Sequence, residues 1–352
     1  MFLITLRDLQ WRRRRFVIAI VGTSLMFSMA LTLSGLSHGF DVEAESAVRQ
    51  LHASGWVVAT GSTGPFLGSA PLPAALATAV GRVPGITAAG PVVYGRTAVG
   101  TGPGAKDANV FGAEPGHPGM PAVSSGRPPR TAGEVAVSTR LVGDYPLGST
   151  IALAGRRYTV VGRVPNSTIL AGVPCVFLTL SDAQRLVFGN LSTASTIAIS
   201  GAPTAALPRG VVLESNHDAV ADLERPLLAA HSAVAFIAVL LFLVAALIVG
   251  SMVYLSALER QRDFAVLKAT GITSRSILGG LAIQSVLVSV GAAALALVLS
   301  LAIIPLFPLR VVVTNDSRIL LPAVGVLVGV LASGLAIRRA TAVDPALAFG
   351  GP

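Results

Sequence analysis

The chain has 352 residues, 53% of them hydrophobic and 12% charged, with a mean hydropathy of +0.73 and a formal charge of +9. Soluble domains carry about 25% charged residues, so this composition excludes an ordinary soluble protein and indicates a membrane protein. The positive charge invites a nucleic-acid reading, but it gathers beside apolar spans, and that placement removes the support for one.

Residues 1–15 form a basic segment containing Arg7 and Arg12 to Arg15, and residues 16–37 form a first apolar span. A basic start followed by an apolar run is also the pattern of a cleaved signal peptide. Here the run is about 22 residues, longer than a usual h-region, and no small-x-small site follows it, so the span is read as an anchor. Residues 38–230 are enough for a folded domain. A second span follows at 231–256, a charged stretch at 257–275, a third span at 276–307, a short loop at 308–318, a fourth span at 319–337 and a tail at 338–352. Each span is long enough to cross about 30 Å of hydrocarbon as a helix.

Segments 1–15, 257–275 and 338–352, with Glu259 among them, hold 11 basic and four acidic residues, hence +7 of the +9, whereas 38–230 holds 13 and 12. Basic residues collect on cytoplasmic flanks. The expected fold class is therefore a membrane α-helical protein with four transmembrane helices, both termini cytoplasmic, and a large extracytoplasmic α+β domain. The expected location is the bacterial cytoplasmic (inner) membrane.

Within 38–230, alternating apolar residues and turn residues predict local elements. Residues 56–59, 72–80 and 92–99 read as strand, helix and strand. Residues 150–153 and 157–161 read as a hairpin turning at 154–156, and 134–138 and 175–180 as further strands. Ser181-Asp182 reads as the cap of a short helix ending at Phe188. Two lobes are expected, joined by the Gly/Pro-rich stretch 100–129. Residues 41–51 and 217–227 show helical spacing of apolar residues and read as stalk helices, the second kinked at Pro226.

Catalytic motifs are missing. The single cysteine, Cys175, rules out an intrachain disulfide and lies in an apolar run, so it reads as a packed thiol. The five histidines never take metal-binding spacing, and no G-x-S-x-G elbow occurs. Neither of the two lysines, Lys106 and Lys268, follows a glycine, so no phosphate-cradling loop of the P-loop kind is present. The chain reads as a non-enzyme with no cofactor and no metal of its own; if it moves anything uphill, ATP hydrolysis comes from another chain.

The stretch 258–275, LERQRDFAVLKATGITSR, stands between two strongly apolar spans. As a helix it places Phe264, Leu267 and Gly271 on one side and Arg260, Lys268 and Arg275 elsewhere, with Gly271 as a C-terminal cap. Such a helix suits a groove on a soluble partner; an ordinary basic loop at the headgroups is the simpler alternative.

The run Glu259-Arg260-Gln261-Arg262-Asp263-Phe264-Ala265-Val266-Leu267-Lys268-Ala269-Thr270-Gly271 resembles the signature ER-x-RE-I-x-x-L-(K/R)-A-x-G of FtsX-like permeases, the membrane subunits of MacB-type (type VII) ABC transporters. The order of one span, large domain and three spans agrees with it, as do Arg338-Arg339 and the tail residues 344–348. Residues 133–138, 147–149 and 158–162 resemble the β-rich lobe of MacB-like domains. Asp263 replaces a usual Glu and Phe264 a usual Ile, and Phe349-Gly350 stands where Leu-Arg is common. The resemblance implies two permease chains, a homodimer, working with cytoplasmic P-loop ATPases that bind ATP and Mg. It gives Glu259, Arg260, Arg262, Asp263, Phe264, Leu267, Lys268 and Gly271 the role of an ATPase-coupling helix.

The opening Met1-Phe2-Leu3, Arg7-Asp8 and residues 33–39 resemble the DevC and HrtB branch, whose members export glycolipid or haem. His38 and His231 are expected at similar depth, where imidazole suits haem iron or another substrate; histidines that merely meet water and headgroups are the bland alternative. Gly325, Gly329 and Ser333 recur every four residues in the fourth span and form a small-residue packing face, within the chain or between copies. The function implied is ATP-driven mechanotransmission with export or extraction of a hydrophobic or envelope-associated substrate such as a lipid, drug or haem. Control of an extracytoplasmic cell-wall hydrolase without transport is the alternative, and a receptor lacking an ATPase is a third. Membrane lipid is an expected partner and nucleic acid is not.

Overall fold

The computed structural model describes residues 13–100, 102–141, 145–189, 191–259, 266, 271, 273–307, 309–315, 319, 323–324, 326–327 and 331. The chain divides into two compact units, one formed by Gly39–Ala229 and the other by the residues on either side of it.

In chain order the elements are α1 (Arg13–Gln50), β1 (Gly55–Ala59), β2 (Leu72–Pro73), α2 (Leu76–Val80), β3 (Ile86–Val99), β4 (Lys106–Ala113), β5 (Ser125–Gly126), β6 (Glu134–Ser138), β7 (Thr150–Leu153), β8 (Arg156–Val164), β9 (Thr168–Ile169) and β10 (Val173–Thr179). They continue with α3 (Leu180–Val187), β11 (Thr193–Ala194), β12 (Thr196–Gly201), β13 (Val211–Glu214), α4 (Asn216–Glu224), α5 (Leu228–Glu259) and α6 (Ser274–Ile303). Among the described residues, three helical runs are long and apolar enough to cross a membrane: Phe16–Gln50, Asn216–Ser256 and Ala282–Leu306. Most of the fourth expected span, 319–337, lies outside the described residues.

The unit Gly39–Ala229 is α+β. Its main sheet runs β13-β1-β12-β3-β4-β10-β6-β8-β5, with β7 and β9 off this path. The 14-residue β3 links the two halves: its first part pairs antiparallel with β12 through Val92↔Thr196, and its second with β4 from Val93↔Gly112 to Val99↔Lys106. Strand β3 is therefore shared by the two halves of the sheet. The stretch 100–129 was expected to be a connection, yet it contributes β4 to the middle of the sheet, between β3 and β10. Its turn residues had hidden a strand whose six residues Ala108–Ala113 are all buried.

The hairpin at 150–164 forms as expected, turning through Ala154 and Gly155 at φ +46° and +78°. Residues 72–80 are a two-residue strand followed by the short α2 rather than one helix. Helix α3 starts two residues early: its cap is Thr179, whose side chain accepts the Asp182 N–H, rather than Ser181-Asp182. That choice leaves Asp182 free to accept the Gly133 N–H at 2.8 Å.

The core is aromatic at its centre. Phe66 lies against Trp56, Tyr94 and Phe111 with ring centroids 4.9, 5.8 and 5.6 Å apart, and Phe111 stacks on Phe177 at 5.6 Å. Edge-to-face and offset contacts of this kind stabilise beyond area burial. The phenol in this cluster is satisfied: Tyr94 donates to Asn109 Oδ1 at 3.0 Å, and Asn109 donates to the Val173 carbonyl. Burial raises the Tyr94 pKa above that of an ordinary phenol. Cys175 is fully buried in the same core, as expected of a packed thiol, and burial pushes its pKa up to about 12.

In the other unit, α1, α5 and α6 meet through small residues. Phe27 and Leu31 pack with Ala245, Ala292, Ala293 and Ala296, and Phe27 meets Phe242 at 6.1 Å. Alanines allow the close backbone approach on which packing in hydrocarbon depends. The outward side chains are apolar, with Leu247 and Leu301 each 71% exposed, which suits lipid contact. Thr23, Ser24, Ser28, Thr32, Ser285 and Ser289 point inward and are buried. Ser24, Thr32 and Ser285 donate to a preceding turn, to the carbonyls of Val21, Ser28 and Ala282.

Candidate functional site

The charged stretch after α5 is the first candidate. Glu259 is the last residue of α5, Val266 is helical and 55% exposed, and Gly271 has φ +88°, a conformation that glycine adopts without strain. Helix α6 then begins after Thr273. Arg260, Arg262, Asp263, Phe264, Leu267 and Lys268 lie outside the described residues, as do Gly325, Gly329 and Ser333.

The second candidate is where α1 and α5 meet near His38 and His231. Ser37 Oγ and His231 Nε2 are 2.9 Å apart, so His231 lies beside the residue preceding His38. Both imidazoles are half-buried. Residues 311–313 pack against the same turn of α1. Val312 N–H donates to the Gly35 carbonyl at 2.9 Å, and a Cβ on Gly35 would come within 2.8 Å of Val311 Cγ1. Among the described residues, no three His, Cys, Asp or Glu side chains group as a metal site. The arrangement offers two imidazoles and a hydroxyl framed by apolar side chains, which suits contact with a largely apolar ligand bearing a polar group.

The third feature was not anticipated from sequence. Helix α4 carries a buried carboxylate, Asp222, that accepts the N–H groups of Phe66 and Leu67 at 2.8 Å and of Gly68 at 2.9 Å. Helix α1 carries Glu43, 3% exposed, which accepts the Gly172 N–H at 2.9 Å. The start of α4 is held as well. Trp56 donates to Asn216 Oδ1 at 2.8 Å, Asn216 donates to the Ala53 carbonyl, and Ser215 with Asp218 forms a reciprocal capping box. In sequence both segments read as stalk helices. Their partners lie 156 and 129 positions away in the chain, a separation that no local pattern reveals.

Apolar helices continuous in sequence with a compact α+β unit define a membrane protein carrying a large folded domain. Residues 16–209 match the MacB-like periplasmic core domain and residues 235–345 the FtsX-like permease C-terminal domain. Two uncharacterised ABC transporter permeases of Mycobacterium tuberculosis are 49% and 45% identical over 352 residues, covering all of each chain. More distant is the putative hemin transport system permease protein HrtB of Staphylococcus haemolyticus, 21% identical over 98% of both chains. The extracellular domain of the transporter YknZ from Gram-positive bacteria aligns at a TM-score of 0.33, with 14% identity over 42% of this chain and 83% of that one. The chain belongs to the FtsX-like, MacB-type family of ABC transporter permeases.

Proposed function

We propose that this permease works as a homodimer with a separate cytoplasmic ATPase, whose ATP hydrolysis drives export or extraction of a hydrophobic or envelope-associated substrate. The observation that carries this reading is the family match over both parts of the chain, in a sequence with no Gly-Lys pair for a phosphate loop. In this reading the α+β unit faces outward, residues 1–15, 257–275 and 338–352 face the cytoplasm, and 319–337 forms a fourth span. The basic flanks support that orientation.

Residues 259–271 act as the coupling helix. Leu267 enters a groove on the ATPase, while Glu259, Arg260, Arg262, Asp263 and Lys268 pair along its rim. His38 and His231 contact substrate near the outer end of the bundle; the hemin transport named for the Staphylococcus relative makes haem one of the substrates to try. Gly325, Gly329 and Ser333 contribute to helix packing.

The test is ATP turnover by a candidate partner ATPase, co-purified with this chain in lipid nanodiscs. Leu267→Asp, alone or with Glu259→Ala, is expected to lower permease-dependent turnover at least about tenfold, a loss of about 1.4 kcal/mol of coupling, with membrane insertion intact. An ATPase that never associates would defeat the reading, and loss of insertion would show that 259–271 is not a water-exposed helix.

A further inference from the structure

Two carboxylates fasten the helices that continue into the apolar spans to loops of the α+β unit. Asp222 stands in the helical run Asn216–Ser256 and Glu43 in the run Phe16–Gln50. Asp222 is fully buried and holds three consecutive backbone N–H groups, those of Phe66, Leu67 and Gly68. Arg225, one turn further on, lies 3.7 Å from Asp222 and donates to Thr63 Oγ1 at 2.7 Å and to the Thr63 carbonyl. Gly64 makes this approach sterically feasible, since a Cβ there would fall 2.1 Å from Asp222 Cγ.

Glu43 holds a smaller but tenser target. Leu170, Ala171 and Gly172 have φ of +55°, +62° and +85°, so two L residues occupy a region they rarely adopt, and the Gly172 N–H at the end of that turn is the one Glu43 accepts. Strain of this kind persists only where surrounding contacts over-determine it.

Hydrogen bonds to an ionised acceptor are stronger than neutral ones, and breaking these at buried carboxylates would leave the donors unpaired. They also grip backbone, so a helix that shifts carries the loop with it instead of turning a rotamer. At the 63–68 loop the consequence is specific. Phe66 is wedged into the aromatic core and Leu67, beside it, is 36% exposed. Displacing the loop changes both the core plug and the apolar side chain presented to solvent.

We propose that Asp222 and Glu43 hand movement of the membrane helices to the α+β unit, and that the 63–68 loop and the 170–172 turn are the parts that move in each ATP cycle. This rests on the ATPase-driven reading above.

The experiment compares hydrogen exchange of peptides covering 63–68 and 168–173 in the full permease–ATPase complex in nanodiscs, without nucleotide and with ATP and vanadate. ATP turnover is measured on the same samples. In the wild type, exchange at 63–68 is expected to differ about tenfold between the two states. Asp222→Asn, which cannot present two acceptor oxygens, removes that difference while the ATPase still associates and turns over. Gly64→Ala, which leaves every charge in place, has the same effect by steric exclusion, so the result does not hang on how one variant folds. At 168–173, Glu43→Leu removes the response, and Glu43→Gln, which retains one acceptor oxygen, keeps most of it. The proposal is overturned if these peptides ignore nucleotide in the wild type, or respond equally in Asp222→Asn and Gly64→Ala. If no ATPase associates with the wild type, the functional reading itself fails and takes this inference with it, an outcome distinct from a coupled complex with silent loops.

Discussion

At the scale of single residues, burial sets chemistry. Cys175 sits fully buried with its thiol pushed up to about 12 by desolvation, so almost no thiolate exists at pH 8. An aromatic disulfide reagent is expected to leave the native protein unlabelled and to react with this single cysteine once denaturant opens the domain. Glu134 behaves oppositely. The hydrogen-bonded pair with Arg127 holds its carboxyl well below the usual carboxylate range, the N–H groups of Arg130 and Thr131 adding to it while burial opposes. A folded-state pKa below the unfolded value of 4.5 contributes stability that is present above that pH and lost as pH falls through the folded value. Arg127→Ala should therefore lower stability at neutral pH by a small amount, and the gap to wild type should narrow as the solution is acidified below about 4.5. Urea unfolding followed by the fluorescence of buried Trp56 measures it.

At the scale of elements, caps and close approaches decide where helices begin and what they touch. Ser215→Ala removes half of the capping box that starts α4 and should cost about 1 kcal/mol, read as a lower urea midpoint with an unchanged slope. Gly112 on β4 lies so close to α3 that an added Cβ would fall 2.0 Å from the Ala183 Cβ. Gly112→Val should force α3 off the sheet and destabilise the domain by several kcal/mol, beyond the roughly 1–3 kcal/mol of ordinary overpacking, seen in the same unfolding curve. The strand, the hairpin at 150–164 and the α3 helix were legible because their patterns are local. The strand β4 was not, because the glycines and prolines around it read as linker while its burial comes from β3 and β10, its neighbours on either side.

At the scale of the whole molecule, the testable statement is that the two ends of the long helices act together. Leu267→Asp and Asp222→Asn on α4 are expected to fail differently: the first loses ATP turnover, the second keeps turnover and loses the response of the α+β unit. A double variant should match Leu267→Asp alone, since a movement never started cannot be relayed. Turnover and hydrogen exchange on the same nanodisc samples separate the cases.

The sequence by itself determined that the chain lives in a membrane, where its apolar spans lie, which flanks are basic, and which family signature follows the second span. Hydropathy, charge and short motifs are properties of neighbouring residues and need no fold to be seen. Only the tertiary structure decided that 100–129 supplies a central strand, that Ser37 meets His231, and that Asp222 and Glu43 are buried ties rather than solvated stalk charges. Each of those outcomes depends on backbone groups more than a hundred positions away or on the partners of a sheet, and burial of a carboxylate is settled by what folds over it.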